Sequence, residues 1–162
     1  MMTVADSSRA PTPGVAARLS EWAALAVLSL TAVRKRFGVS RKYVDRNTSY
    51  GKLAGLIEYH NSAAHPARFF FQGENSRSAV MYISAPEALA GLGAESLRRE
   101  LGAPAAMLPS RAGKSYTHAV YPENGVAFSA DDTNVAFIEL FPPTTLERYQ
   151  AEIYDRPEPF TK

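Results

Sequence analysis

Apolar residues recur along this chain in two rhythms, and the switching between them predicts its elements. Between Thr31 and Phe37, Val33 and Phe37 lie four apart on one helical face, among Arg34, Lys35 and Arg36. Gly38 then suits the left-handed cap that ends such a helix. Strand-like runs follow around Leu53–Tyr59, Arg68–Phe71 and Ala79–Ile83, with Thr48–Gly51 as a turn and Gln72–Ser78 as a hairpin loop. The order then repeats. Leu97 and Leu101 have the spacing of Val33 and Phe37, and Gly102-Ala-Pro104 stops the helix, because proline and the residue before it resist helical backbone. Apolar runs follow at Tyr116–Tyr121, Val126–Ser129 and Val135–Leu140, separated by turns at Pro122–Gly125 and Ala130–Asn134. Thr145 is placed to cap a last helix, Leu146–Tyr154.

Matched positions lie 64 residues apart at Gly38 and Gly102, 62 at Tyr59 and Tyr121, and 57 at Phe71 and Phe128 and at Met81 and Ile138. The offset changes only where loops belong, and loops tolerate insertion where paired strands do not. The pattern therefore predicts an α+β fold of two tandem units, each a helix followed by an antiparallel meander, forming one sheet with helices on one face. The expected organisation is a flexible tail over 1–20, a first unit over 21–86, a second over 87–143, and a helix and tail over 144–162. Within the last strand, Ala136, Ile138 and Leu140 are expected to face the core. Val135, Phe137, Glu139 and Phe141 are then expected on the other face, as are Val80 and Tyr82.

Composition changes this picture little. A chain of 162 residues, 46% hydrophobic and 21% charged, can build a real core. It has no cysteine, which removes disulfides, thiolate zinc sites and thiol nucleophiles. Trp22–Val33 is apolar but, at 12 residues, too short to span a bilayer; it reads as a retained core helix rather than a secretory signal. A cytoplasmic location is the expectation. The net charge of +2 is unevenly spread: residues 1–81 carry 11 basic and 5 acidic side chains, residues 82–162 carry 7 and 11. The basic excess centres on Arg34, Lys35, Arg36, Arg41, Lys42 and Arg46, a surface for an acidic partner or nucleic acid.

A short helix ending Leu-Gly-x-Pro, then a strand, a glycine hairpin and strands ending in Val-x-x-Ile, resembles the unit of the small outer-membrane assembly lipoproteins of the BamE (SmpA/OmlA) type. Two such units in tandem are similar to the arrangement of the β-lactamase inhibitor proteins. Leu97, Leu101, Gly102, Pro104, Tyr116, Tyr121, Gly125, Val126, Phe128, Val135 and Ile138 carry the likeness. The lipid-attachment cysteine of the lipoproteins and the four cysteines of the inhibitor are missing. The resemblance implies the fold and a habit of binding proteins on an open sheet face.

Residue chemistry points the same way. Arg36–Arg46 has the apolar and glycine spacing of a helix-turn-helix, although Arg34 and Asn47 stand where that motif wants small or apolar residues. Glu58, His60, His65 and His118 match no metal-ligand spacing, and Asp131–Asn134 reads as a hairpin turn rather than a calcium loop. Ser115, His118 and Asp131 or Asp132 lack the elbow that holds a nucleophilic serine. No cofactor or metal is implied, and no enzyme activity. The aromatic residues Tyr59, Tyr82, Tyr121 and Phe137, with Glu139, form the expected partner-binding set on the open face. The function expected is a non-enzymatic interaction domain or complex subunit that binds another protein or self-associates. The alternative is a nucleic-acid binder using segment 34–46.

Overall fold

A computed structural model describes residues 14–37, 44–61, 66–72 and 77–157; at 44–49, 54–61 and 66 it describes the backbone alone. The fold is α+β. Helices α1 (Val15–Ala26) and α2 (Leu30–Phe37) precede strands β1 (Val44–Tyr50), β2 (Leu53–Asn61), β3 (Pro66–Phe71) and β4 (Ser78–Ile83). Helices α3 (Pro86–Leu89) and α4 (Ala94–Leu101) precede β5 (Ala106–Pro109), β6 (Thr117–Tyr121), β7 (Val126–Ala130) and β8 (Val135–Leu140). A final turn of helix, α5 (Leu146–Arg148), runs into a π-helical turn over Tyr149–Ile153. All eight strands join one antiparallel sheet in the order β1-β2-β3-β4-β8-β7-β6-β5.

The apolar stripe of α1, Leu19, Trp22, Leu25 and Ala26, is buried, as helical periodicity demands. The helix begins at Val15, inside the stretch expected to be tail, because Leu19 belongs to that stripe. Trp22–Val33 is not one helix. The chain breaks after Ala26 because Ser29 leaves helical geometry, bridges to Arg77 across the backbone, and accepts a hydrogen bond from the Ala32 amide at the start of α2. Pro86 stands at the first turn of α3, as its missing N–H allows. The Arg18 guanidinium donates to the carbonyls of Ala88 and Ala90, tying α1 to the end of α3.

The meanders carry one strand more than the apolar runs suggest. β1 and β5 are edge strands, one rich in polar residues and the other four residues long, so neither sequence carries the apolar–polar alternation by which a strand is recognised. Residues 44–46 lie in β1, a strand where the helix-turn-helix alternative would need its recognition helix; residues 38–43, with Gly38, Arg41 and Lys42, lie outside the described residues. Gly125 has the positive φ expected of it, 68°.

Pairing across the sheet centre is Met81↔Leu140, Tyr82↔Glu139 and Ile83↔Ile138. Elsewhere Phe69 lies opposite Met81 and Phe128 opposite Ile138, whereas Phe71 lies opposite Ser78. Tyr59 lies opposite Arg68, and Tyr121 opposite Val126. A slip of one residue exchanges sheet faces, which apolar patterning in short strands does not resolve.

Two apolar layers result. On one face α1, α2 and α4 cover Phe69, Phe71, Met81, Ile83, Phe128, Ile138 and Leu140. On the other, the C-terminal segment sets Tyr149 and Ile153 against Phe70, Val80, Val120, Ala127 and Phe141. Among the described residues, no helix is long and apolar enough to cross a membrane.

Candidate functional site

The second face is where polar chemistry gathers. Glu139 on β8, Ser129 on β7 and His118 on β6 point to it from adjacent strands, and all three are buried. His118 and Ser129 are directly opposed across the β6–β7 ladder, so their side chains meet, Nδ1 to Oγ at 2.7 Å. Ser129 also accepts from the Ser110 hydroxyl at 2.7 Å. On the far side of the ring, Nε2 lies 2.6 Å from the Tyr149 hydroxyl and 3.3 Å from Glu139 Oε1. Tyr149 donates to Oε1 at 2.5 Å, and Tyr50 donates to Oε2. A guanidinium nitrogen of Arg111 stands 3.5 Å from Oε2, and another donates to the Tyr50 hydroxyl at 2.7 Å.

Three aromatic rings hold that guanidinium. Its carbon lies 4.6 Å from the Phe137 centroid, 5.1 Å from Tyr50 and 5.5 Å from Tyr82. Planar, weakly hydrated arginine stacks on rings in this way while keeping its in-plane donors for hydrogen bonds. Tyr82 carries a second guanidinium, that of Arg68, at 5.7 Å. The Arg111 side chain is 31% exposed, so it forms the outer wall of an otherwise buried cluster.

Electrostatics follow from this packing. Burial alone would raise the pKa of Glu139; the hydrogen bond and charge of His118, then Arg111 and the Tyr149 hydroxyl, outweigh it and hold the carboxyl below its ordinary value. Burial first, then the charge of Glu139, pushes Tyr50 and Tyr149 upward, so both stay neutral donors. Burial would lower Arg111, but Tyr50 and Glu139 raise it; of those two, Glu139 bears the charge at neutral pH. The result is a carboxylate with hydrogen-bonding partners on both oxygens, the condition under which a buried charge is tolerated.

The C-terminal segment closes the cluster. Thr145 caps α5, its hydroxyl accepting from the Arg148 amide at 3.1 Å, as its position in the sequence suggested. The helix then widens, Tyr154 N–H donating to the Tyr149 carbonyl at 2.9 Å. This π-turn sets Tyr149 over Glu139 while Tyr154 reaches the Pro109 carbonyl of β5 at 2.6 Å. Lys52 N–H donates to the Glu152 carbonyl at 2.8 Å. Gly51, with φ 58°, lets the β1–β2 turn approach, since a Cβ there would strike the carbonyl of Ile153.

The expected partner-binding residues are thus dispersed. Phe137 and Glu139 lie on the expected face, but are 3% and 0% exposed beneath Arg111 and the C-terminal segment, so that face is not open at either. Tyr121 lies on the helix side, stacked on Phe128, with its hydroxyl on the Gly102 carbonyl at 2.9 Å. Tyr82 is half-buried between two arginines. The Tyr59 backbone pairs with Arg68, and its side chain lies outside the described residues. Arg34 is half-buried and Lys35 and Arg36 are exposed on α2; the Arg46 side chain is outside the described residues. The serine on His118 is Ser129, not Ser115. Asp131 accepts from the Thr133 and Asn134 amides, which lowers its pKa and makes it a turn residue.

Sequence reasoning missed Arg111, Tyr50, Ser129 and Tyr149. One signal was available: a glutamate inside the apolar run Val135–Leu140 needs buried partners, and no local residue supplies them. Comparisons with family models, with curated proteins and with solved structures find no match. The functional reading therefore rests on geometry.

Proposed function

We propose that this chain is a non-enzymatic interaction domain, or a subunit of a larger complex, whose protein partner docks on the second sheet face around Arg68, Tyr82 and Arg111. The observation that carries this reading is the Arg111 guanidinium, caged by three rings and partly exposed. A pre-organised arginine among aromatic rings is the chemistry of interface hot spots, because little side-chain entropy remains to be lost on binding. Two guanidiniums on one tyrosine favour a partner that presents carboxylates. The His118–Ser129–Glu139 cluster suits a structural role rather than catalysis, since its serine is 0% exposed.

The same proposal takes the two halves as tandem copies. Strand order mirrors about the β4–β8 pair, and the pair Met81↔Leu140 becomes Ile138↔Ile83 when the halves exchange. The isolated bridges Ser29↔Arg77 and Gly93↔Asn134 occupy equivalent positions, as do the ladder irregularities after Phe70 and after Ser129. These features support descent from one unit, as in the BamE-like resemblance.

The test is affinity capture with the wild-type chain and with an Arg68→Glu, Tyr82→Ser variant at two salt concentrations. The variant should lose the partner while its melting temperature holds, and wild-type capture should weaken in high salt. Equal capture by both chains would refute the docking face. Retention through segment 34–46 with a steep salt dependence would instead favour nucleic acid.

A further inference from the structure

A second polar feature lies apart from the Glu139 cluster, where the β3–β4 hairpin meets the C-terminal segment. There a cleft of about 250 Å³ opens between Arg77 on the hairpin side and Arg148 and Glu152 on the other, with Leu53, Pro142 and Ile153 among its walls. We propose that this cleft binds a small organic monocarboxylate with an aromatic or branched apolar body.

Volume sets the size of the ligand. At about 250 Å³ the cleft lies just below the range of about 300–1,000 Å³ usual for drug-sized ligands, which suits a small one. Charge sets its head group. Among the described residues of the lining, two guanidiniums stand with one carboxylate, an excess of one positive charge. Among the described residues, Arg77 makes no salt bridge. Arg148 makes a single one with Glu152 at 3.3 Å, and both partners are exposed, at 68% and 43% of their side chains. Exposed pairs four residues apart on a helix are weakly held, so an incoming carboxylate can take the Arg148 fork and add Arg77. The apolar walls set the body: Leu53 and Ile153 are continuous with the second-face core and offer contact to a ring or branched chain, which a bare inorganic anion would leave unused.

This inference is independent of the docking face, because neither Arg68, Tyr82 nor Arg111 lines the cleft. The probe is benzoate, titrated into the full chain and followed by amide NMR, with benzamide as its uncharged counterpart. A saturable response with a Kd of about a millimolar, the scale for so small a ligand, is expected at the amides of Ala79, Thr144, Glu152 and Ile153. Benzamide should bind at least about tenfold more weakly, and Arg77→Ala and Arg148→Ala should each weaken benzoate about fivefold with melting temperatures preserved. Absence of saturation, equal binding of benzamide, or benzoate binding unchanged in both variants would overturn the proposal.

Discussion

The two faces of the sheet solve the problem of burial in opposite ways. Beneath the helices, Phe69, Met81, Ile138, Leu140 and their neighbours form an apolar layer whose cohesion comes from area removed from water. Beneath the C-terminal segment, an apolar ring encloses a carboxylate, an imidazole, two serines and two phenols, with an arginine as the outer wall. The first layer tolerates exchange of one aliphatic residue for another of similar volume. The second depends on every partner being present, because one missing donor leaves a buried charge uncompensated.

The largest effect should separate the faces. Glu139→Met alone should cost about 3–5 kcal/mol, since it leaves His118, Arg111 and the phenols without their acceptor, whereas adding Arg111→Met should cost little more. Ile138→Ala should also cost about 3 kcal/mol, and truncating a second residue of that face should add to the loss rather than offset it, because the loss is a cavity. Urea unfolding of these chains, of Arg111→Met alone and of the wild type checks this; additive losses at Glu139 and Arg111 would erase the distinction.

Acidity sharpens the contrast further. Glu139 sits below its ordinary value, so its contribution is complete above about pH 4.3 and is lost as pH falls through the lower value it has in the fold. Tyr50 and Tyr149 are raised, so their contribution is complete below about pH 10 and is lost as pH rises beyond it. Urea midpoints measured against pH should fall beyond each of these limits. Glu139→Gln should flatten the acid limb, and an unchanged limb would show that another carboxyl governs it.

Smaller changes follow. Tyr149→Phe keeps the ring against Phe141 but removes a donor to Glu139, and should cost about 1–3 kcal/mol by thermal unfolding. Arg99→Ala breaks a pair whose side chains are 74% and 86% exposed, and should shift stability by less than about 0.5 kcal/mol. A larger shift there would mean that the helix layer draws on surface charge after all.

Much of the helix layer was legible from periodicity. Val33, Leu97, Met81, Ile83, Ile138 and Leu140 fall where the spacing puts them, and the hairpins at Pro122–Gly125 and Ala130–Asn134 are turns with the expected chemistry. The edge strands β1 and β5 were not legible, because polar or very short strands carry no alternation. Nor was the register of β3, in which Phe69 lies opposite Met81, since three consecutive phenylalanines fit more than one register. The polar cluster was visible only as its anomaly, Glu139 in an apolar strand.

Sequence by itself determined the elements that depend on neighbours three or four positions away: the helical stripes, the glycine and proline stops, the Thr145 cap and the short turns. Tertiary structure decided what the second face became. Glu139 finds Tyr50 from 89 positions away, and Tyr149 reaches it only because the C-terminal segment folds back across the sheet. Such contacts depend on strand register and on the path of a distant segment, and short-range patterning encodes neither.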